Sequence, residues 1–150
     1  MRRGGFTLLE LLVVLSIAAV MIAVVPPLIS SALPGARLKA TAREMAAGLR
    51  VARTRALTRR AETSLLFDLD RRRYGLAGQP LRHRIPEGIE VKLLTAESEL
   101  QGGRRGGIRF FPEGGSTGGR VTLTSGRRAL GVDVDWLTGR IRILTLEPGA

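Results

Sequence analysis

The chain has 150 residues, with 24 Lys+Arg against 13 Asp+Glu, one His and no Cys. That length suits one folded domain with an appendage and excludes the large α/β barrels and two-domain enzymes. The missing cysteines exclude a disulfide framework and a thiolate metal site, and a single histidine excludes any multi-histidine metal site. An aromatic fraction of 4% argues against stacking platforms for bases or sugars. The net charge of +11, carried by 22 Arg and 2 Lys, predicts attraction to nucleic acid, lipid head groups or acidic proteins. Genome base composition also produces such an excess of Arg over Lys.

Residues 1–5 (MRRGG) form a short basic leader ending in two glycines. From Phe6 to Val25 the chain is apolar except for Thr7, Glu10 and Ser16. As a helix this run is about 30 Å long, the thickness of a bilayer's hydrocarbon core. Arg2 and Arg3 ahead of it place the N-terminus in the cytoplasm and send the remainder across. Pro26 and Pro27 then kink or break the helix, or simply end the membrane span, and Pro34-Gly35 offers a second break.

Beyond that point Leu38, Ala42, Met45, Leu49, Ala52 and Ala56 recur every three or four residues. This predicts an amphipathic helix over 34–62, with Lys39, Arg43, Arg50, Arg53 and Arg60 on its remaining surface. From Thr63 the period shortens to that of strands. Segments 64–69 and 74–77 read as a hairpin. Strands at 89–94, 108–111, 120–125, 129–136 and 140–146 follow, with glycine-rich loops at 101–107 and 112–119. The expected fold is α+β, a long N-terminal helix packed on an antiparallel sheet or a small sandwich, with a head domain over 63–150.

Gly5-Phe6-Thr7-Leu8-Leu9-Glu10, opening an apolar run after a short basic leader, resembles the class III signal of type IV pilins and pseudopilins. An ordinary secretory signal peptide rarely tolerates an acid in its apolar core. The resemblance implies that a membrane-embedded prepilin peptidase cuts between Gly5 and Phe6 and methylates the new amine of Phe6. It also implies a partner for Glu10, whose carboxylate costs about 2–3 kcal/mol or more in lipid unless paired: the free amine of a neighbouring subunit's first residue. Such a pair sets register between subunits. The proline at Pro26-Pro27 stands where pilin helices commonly carry a kink.

Phe111-Pro112-Glu113-Gly114-Gly115-Ser116-Thr117-Gly118-Gly119, then a strand, then Val134-Asp135-Trp136-Leu137-Thr138-Gly139-Arg140, is similar to the GspH/FimT-type minor pseudopilins. Leu66-Phe67-Asp68 with Tyr74-Gly75 is similar to their first hairpin. The resemblance implies a non-enzymatic subunit near the tip of a type II secretion pseudopilus. The anchor would sit in the inner membrane and the head in the periplasm, with other pseudopilins, the prepilin peptidase and exported proteins as partners. The alternative is a minor type IV pilin that binds DNA for uptake.

Asp133 and Asp135 share a strand face, but two carboxylates make a poor calcium site. Asp68 and Asp70 have counter-charges in Arg71, Arg72 and Arg73. Gly114-Gly115-Ser116-Thr117-Gly118 matches G-x-S-x-G, yet a strand-like run follows it, and His83, expected in a surface loop, lies upstream. No P-loop is present, so an assembly ATPase elsewhere would supply the energy, and the resemblance implies neither catalysis nor a cofactor or metal. Arg50, Arg53, Arg55, Arg59 and Arg60 at the helix end, with Arg104, Arg105, Arg127, Arg128, Arg140 and Arg142 in the sheet region, could grip an anionic partner. They could equally form a solvated face or complement an acidic neighbouring subunit.

Overall fold

The structure, a computed structural model, describes residues 7–96, 99 and 104–147, without the side chains of 23–34. The leader 1–5 and the residues of its cleavage, Gly5 and Phe6, lie outside the described residues, as does 101–103 of the first glycine-rich stretch. The chain divides into two compact units, Met1–Pro34 and Gly35–Ala150.

Helix α1 runs Leu8–Arg59. Thr7 opens it as a cap, its Oγ1 accepting the Glu10 N–H at 3.2 Å, and Thr-x-x-Glu is the capping-box spacing. Ser16 donates its hydroxyl to the Leu12 carbonyl at 2.7 Å, so this polar atom is satisfied within the helix. Every described side chain from Leu8 to Ile22 is exposed. Pro26, Pro27 and the Pro34-Gly35 step stand inside the helical segment and do not end it, so of the kink or break expected at them the break does not occur. Among the described residues no helix is long and apolar enough to cross a membrane. The apolar run read from Phe6 to Val25 lies partly outside them, at Phe6 and at the side chains of 23–25.

In the second unit the helix buries the stripe that its spacing predicts. Leu38, Ala42, Met45, Leu49, Ala52 and Ala56 are all buried, and Ala46 joins them. Small residues on this face let the sheet approach closely: a Cβ on Gly48 would sit 3.5 Å from Leu65 and 3.8 Å from Tyr74. The helix stops at Arg59, three residues short of the expected end, because Arg60 takes the left-handed conformation at φ 50° and turns the chain into the first strand.

Eight strands follow: β1 Thr63–Asp68, β2 Arg73–Leu76, β3 His83–Arg84, β4 Glu90–Thr95, β5 Arg105–Phe110, β6 Gly119–Ser125, β7 Arg128–Val134 and β8 Ile141–Leu146. They form two four-stranded sheets, ordered β3-β2-β1-β5 and β4-β6-β7-β8, antiparallel throughout. Leu65, Phe67, Ile108 and Phe110 from the first sheet and Val121, Leu123 and Val132 from the second meet the helix stripe in one core.

Three sequence expectations change here. Arg105, Gly106 and Gly107 are not loop but strand, paired with Asp68, Phe67 and Leu66. Gly107 suits that position because a Cβ there would lie 2.9 Å from Leu66 and 3.2 Å from the Leu65 carbonyl. β7 ends at Val134, so Asp135 and Trp136 belong to a turn. His83 lies in the two-residue strand β3, opposite Tyr74, and not in a loop.

Candidate functional site

Three regions carry the residues singled out in the sequence. The first is the helix start. Glu10 lies in the first turn of α1 with its side chain exposed, where the positive end of the helix dipole favours an acid. The role of Thr7 as the cap was legible in the Thr-x-x-Glu spacing but is absent from a reading centred on Glu10.

The second is a pair of loops, 111–118 and 135–140, at the C-terminal end of the helix. Asp135 organises the second. Its Oδ1 accepts the Leu137 N–H at 3.1 Å, the Thr138 N–H at 2.8 Å and the Thr138 hydroxyl at 2.8 Å, while Gly139 N–H donates to its carbonyl at 2.9 Å. The Thr138 and Leu137 bonds to the charged carboxylate hold its pKa below the ordinary range. Ser116 N–H donates to the Trp136 carbonyl at 2.8 Å, and Ser116 Oγ donates to the Asp135 carbonyl at 3.2 Å while accepting the Gly118 N–H at 2.9 Å. Ser116 is therefore a buried clamp between loops, and the G-x-S-x-G match has no exposed hydroxyl.

The close approach demands glycine. Gly139 is left-handed at φ 61°, and a Cβ there would stand 2.5 Å from the Gly114 carbonyl. At Gly118, φ 72°, a Cβ would come 2.9 Å from that of Trp136. From the helix, Arg53 donates to the Thr138 carbonyl at 3.1 Å, and Leu57 reaches toward Gly114. The result is a fixed turn with Trp136 and Leu137 pointing to solvent, 67% and 66% exposed.

The third region is the set of carboxylates. Asp133 faces Arg120 across β6 and β7; its Oδ2 accepts from Arg120 Nη2 at 2.8 Å, and Arg142 is its register partner on β8. With Asp135 in the turn, the two do not share a strand face. Asp68 caps the β1–β2 turn by accepting the Arg71 N–H at 2.9 Å, and pairs with Arg105 Nε at 3.0 Å. These interactions hold its carboxyl below the ordinary range. Of the expected counter-charges Arg71 does act on Asp68, joined by Arg105, while Arg72 instead donates to the Pro86 and Ile89 carbonyls. Arg109 joins two acids, Glu62 at 2.7 Å and the buried Glu99 at 3.0 Å, and these raise its pKa. Among the described residues no group of three or more His, Asp or Glu could hold a metal.

The arginines singled out in the sequence divide. Arg127 and Arg128 lie at the β6–β7 turn beside Gly35 and line a groove with Lys39, Leu130 and Leu146. Arg53 lies 18 residues along the helix, about 27 Å away. Arg140 adjoins Gly139, which packs on Arg53, and Arg105 is taken up by Asp68. Arg50, Arg59, Arg60, Arg104, Arg140 and Arg142 are exposed, and Arg53 and Arg55 half-buried. Arg127 and Arg128 thus stand at the Gly35 end of the head helix, and Arg53 with Arg140 at the other. His83 forms a clasp that sequence reasoning missed: its Nδ1 lies 2.9 Å from Glu44 Oε1, and its ring stacks 5.0 Å from Tyr74. Burial, with the Glu44 carboxylate nearby, raises the pKa of the Tyr74 hydroxyl.

Comparison with known proteins gives the same placement from both ends of the chain. The family described as type II transport protein GspH matches residues 41–138, and the prokaryotic N-terminal methylation motif matches residues 1–26. The chain is 33% identical over 138 residues to the type II secretion system protein H of Xanthomonas campestris pv. campestris, covering 92% of this chain and 81% of that one. Its fold is similar to that of the minor pseudopilin EpsH from the Vibrio cholerae type 2 secretion system. The TM-score is 0.55 at 17% identity, over 76% of this chain and 99% of the other. It is also similar to the type IV minor pilin FimU of Pseudomonas aeruginosa, with a TM-score of 0.51 at 17% identity, over 71% and 87% of the two chains. A methylation motif at the start, a core helix leading into two antiparallel sheets and a GspH match across the head together make the assignment: the chain belongs to the GspH family of type II transport proteins, the minor pseudopilins.

Proposed function

We propose that this chain is a structural subunit near the tip of a periplasmic pseudopilus, whose growth pushes folded proteins out of the cell. The observation that carries the reading is the joint occurrence, in one chain, of the methylation motif over 1–26 and the GspH match over 41–138. The prepilin peptidase cuts between Gly5 and Phe6 and methylates Phe6. The apolar run then holds the subunit in the inner membrane, N-terminus inward and head in the periplasm, until it enters the bundle. There Glu10 pairs with the amine of a neighbour's first residue, and Pro26 and Pro27 supply a bend. An assembly ATPase elsewhere provides the work, and exported proteins contact the growing tip.

The first test is the extracellular proteome of an in-frame deletion strain against its complemented parent. Loss of a discrete set of folded exoproteins is expected. An unchanged set, with loss of DNA uptake, would move the chain to a type IV pilus, the reading that the exposed Arg104, Arg127, Arg128, Arg140 and Arg142 favour. The pairing of Glu10 has its own test. Glu10→Ala should leave cleavage and Phe6 methylation intact and abolish co-assembly with other pseudopilins; normal co-assembly would sink it.

A further inference from the structure

The chain's only tryptophan stands on the turn after β7, two-thirds exposed, with the equally exposed Leu137 beside it. Burying such side chains is the ordinary way a fold gains stability. Here the fold instead spends hydrogen bonds on holding them outward. Four bonds within 135–139 fix the turn, the Ser116 N–H holds the Trp136 carbonyl, and Gly118 packs on the Trp136 backbone. A partner therefore meets a preordered anchor and loses little entropy on docking.

The surroundings define what fits. Leu57, itself 40% exposed, reaches Gly114 of the loop pair from the helix and adds apolar surface at the same end of the head. Arg50 and Arg53 lie on the same helix face at spacings of seven and four from Leu57, and the exposed Arg140 borders the turn. The two loops carry two acids. Asp135 is consumed within the turn, which leaves Glu113 as their free carboxylate. A tryptophan at the centre with an arginine rim is the composition of a protein-binding hot spot.

We infer that the Trp136–Leu137 turn is a docking surface for another protein of the assembly, one that offers an apolar socket rimmed by carboxylates. The inference rests on the pseudopilus reading and names the chemistry of one contact within it. A second copy of this chain fits less well, because it would set the same arginine rim against itself, with Glu113 as the only carboxylate of the loop pair left to meet it. A lipid surface is one of the outcomes that the test below separates. A nucleic acid would use Trp136 for stacking but gains nothing from Leu57 and Leu137.

The test places a photoreactive benzoylphenylalanine at position 137 in the full chain, in cells, and maps the cross-linked peptide. The expected target is an acidic segment with apolar residues in another protein. Trp136→Ser and the pair Arg50→Glu, Arg140→Glu should each cut the yield roughly tenfold or more. Reversing the mapped acids to Arg should restore cross-linking to the Arg→Glu pair. These four side chains are exposed, so folding should survive, and the melting temperature checks it. A neutral or basic target segment, no cross-link, or no restoration overturns the inference. Because Trp136 is the sole tryptophan, its emission also tests the other occupants. A saturable blue shift of the purified chain with a 20-nucleotide single strand or with phosphatidylglycerol vesicles would overturn the choice of a protein. If the deletion strain loses export while cross-linking fails, only the docking surface falls; if export persists, the pseudopilus reading falls.

Discussion

Replacing Leu49 with Ala tests the claim that the helix stripe closes the core of the head. Leu49 is fully buried and sits mid-stripe between Met45 and Ala52. The substitution removes about three methylene equivalents, or about 2.4 kcal/mol of transfer free energy at 0.8 per group. The cavity left between helix and sheets raises the cost to about 3–5 kcal/mol, because packed elements close only partly over it. For a unit of this size each kcal/mol lowers the melting temperature by about 4 °C, so the midpoint should fall by about 12–20 °C. Arg43→Ala, on the exposed face of the same helix, should move it by about 2 °C or less. Thermal melts of the full chain in detergent, followed by far-ultraviolet circular dichroism, would measure both. A Leu49→Ala midpoint within about 3 °C of the parent would refute the packing argument.

Two further predictions concern the charged groups. Arg109→Ala leaves the buried Glu99 without its guanidinium and should cost about 1–3 kcal/mol; Arg109→Lys should recover part, since a single ammonium cannot bridge Glu62 and Glu99 as the planar fork does. Equal melting of Arg109→Ala and the parent would show that the bridge contributes nothing. The lowered pKa values of Asp68 and Asp135 set an acid limb. The stabilisation is complete above the ordinary carboxylate value of 3.8 and disappears as pH falls through the lower folded values. Melting temperature between about pH 5 and pH 2 should therefore fall less steeply in Asp135→Asn than in the parent; parallel slopes would contradict the assignment.

Much of this architecture was legible in the residues because it depends on local periodicity. The stripe from Leu38 to Ala56 is a property of the 3.6-residue repeat, and the hairpin of β1 and β2 follows from alternation broken by a turn. The apolar run after Gly5, with an acid at its fifth residue, needs no fold to be recognised. Strand ends were less legible. Gly106 and Gly107 read as loop because glycine has low strand propensity, yet they are strand because β1 crowds them. The end of α1 followed from the left-handed Arg60, a conformation that no residue preference announces.

Long-range pairings were decided by the tertiary structure alone. Asp68 with Arg105, Arg109 with Glu99 and His83 with Glu44 join residues ten to forty positions apart. Sequence assigned Asp68 to its nearest arginines because spacing reports only neighbours along the chain. It likewise counted arginines without showing that Arg128 and Arg53 lie at opposite ends of the head helix. The outward tryptophan is the clearest case. In the sequence Trp136 ends a strand-like run, 129–136, whose spacing does not say which way the ring points. The Asp135 carboxylate turns the backbone one residue earlier, and the loop at 111–118 locks that turn from the other side. A side chain's direction depends on contacts between segments that are distant in sequence, so only the folded chain fixes it.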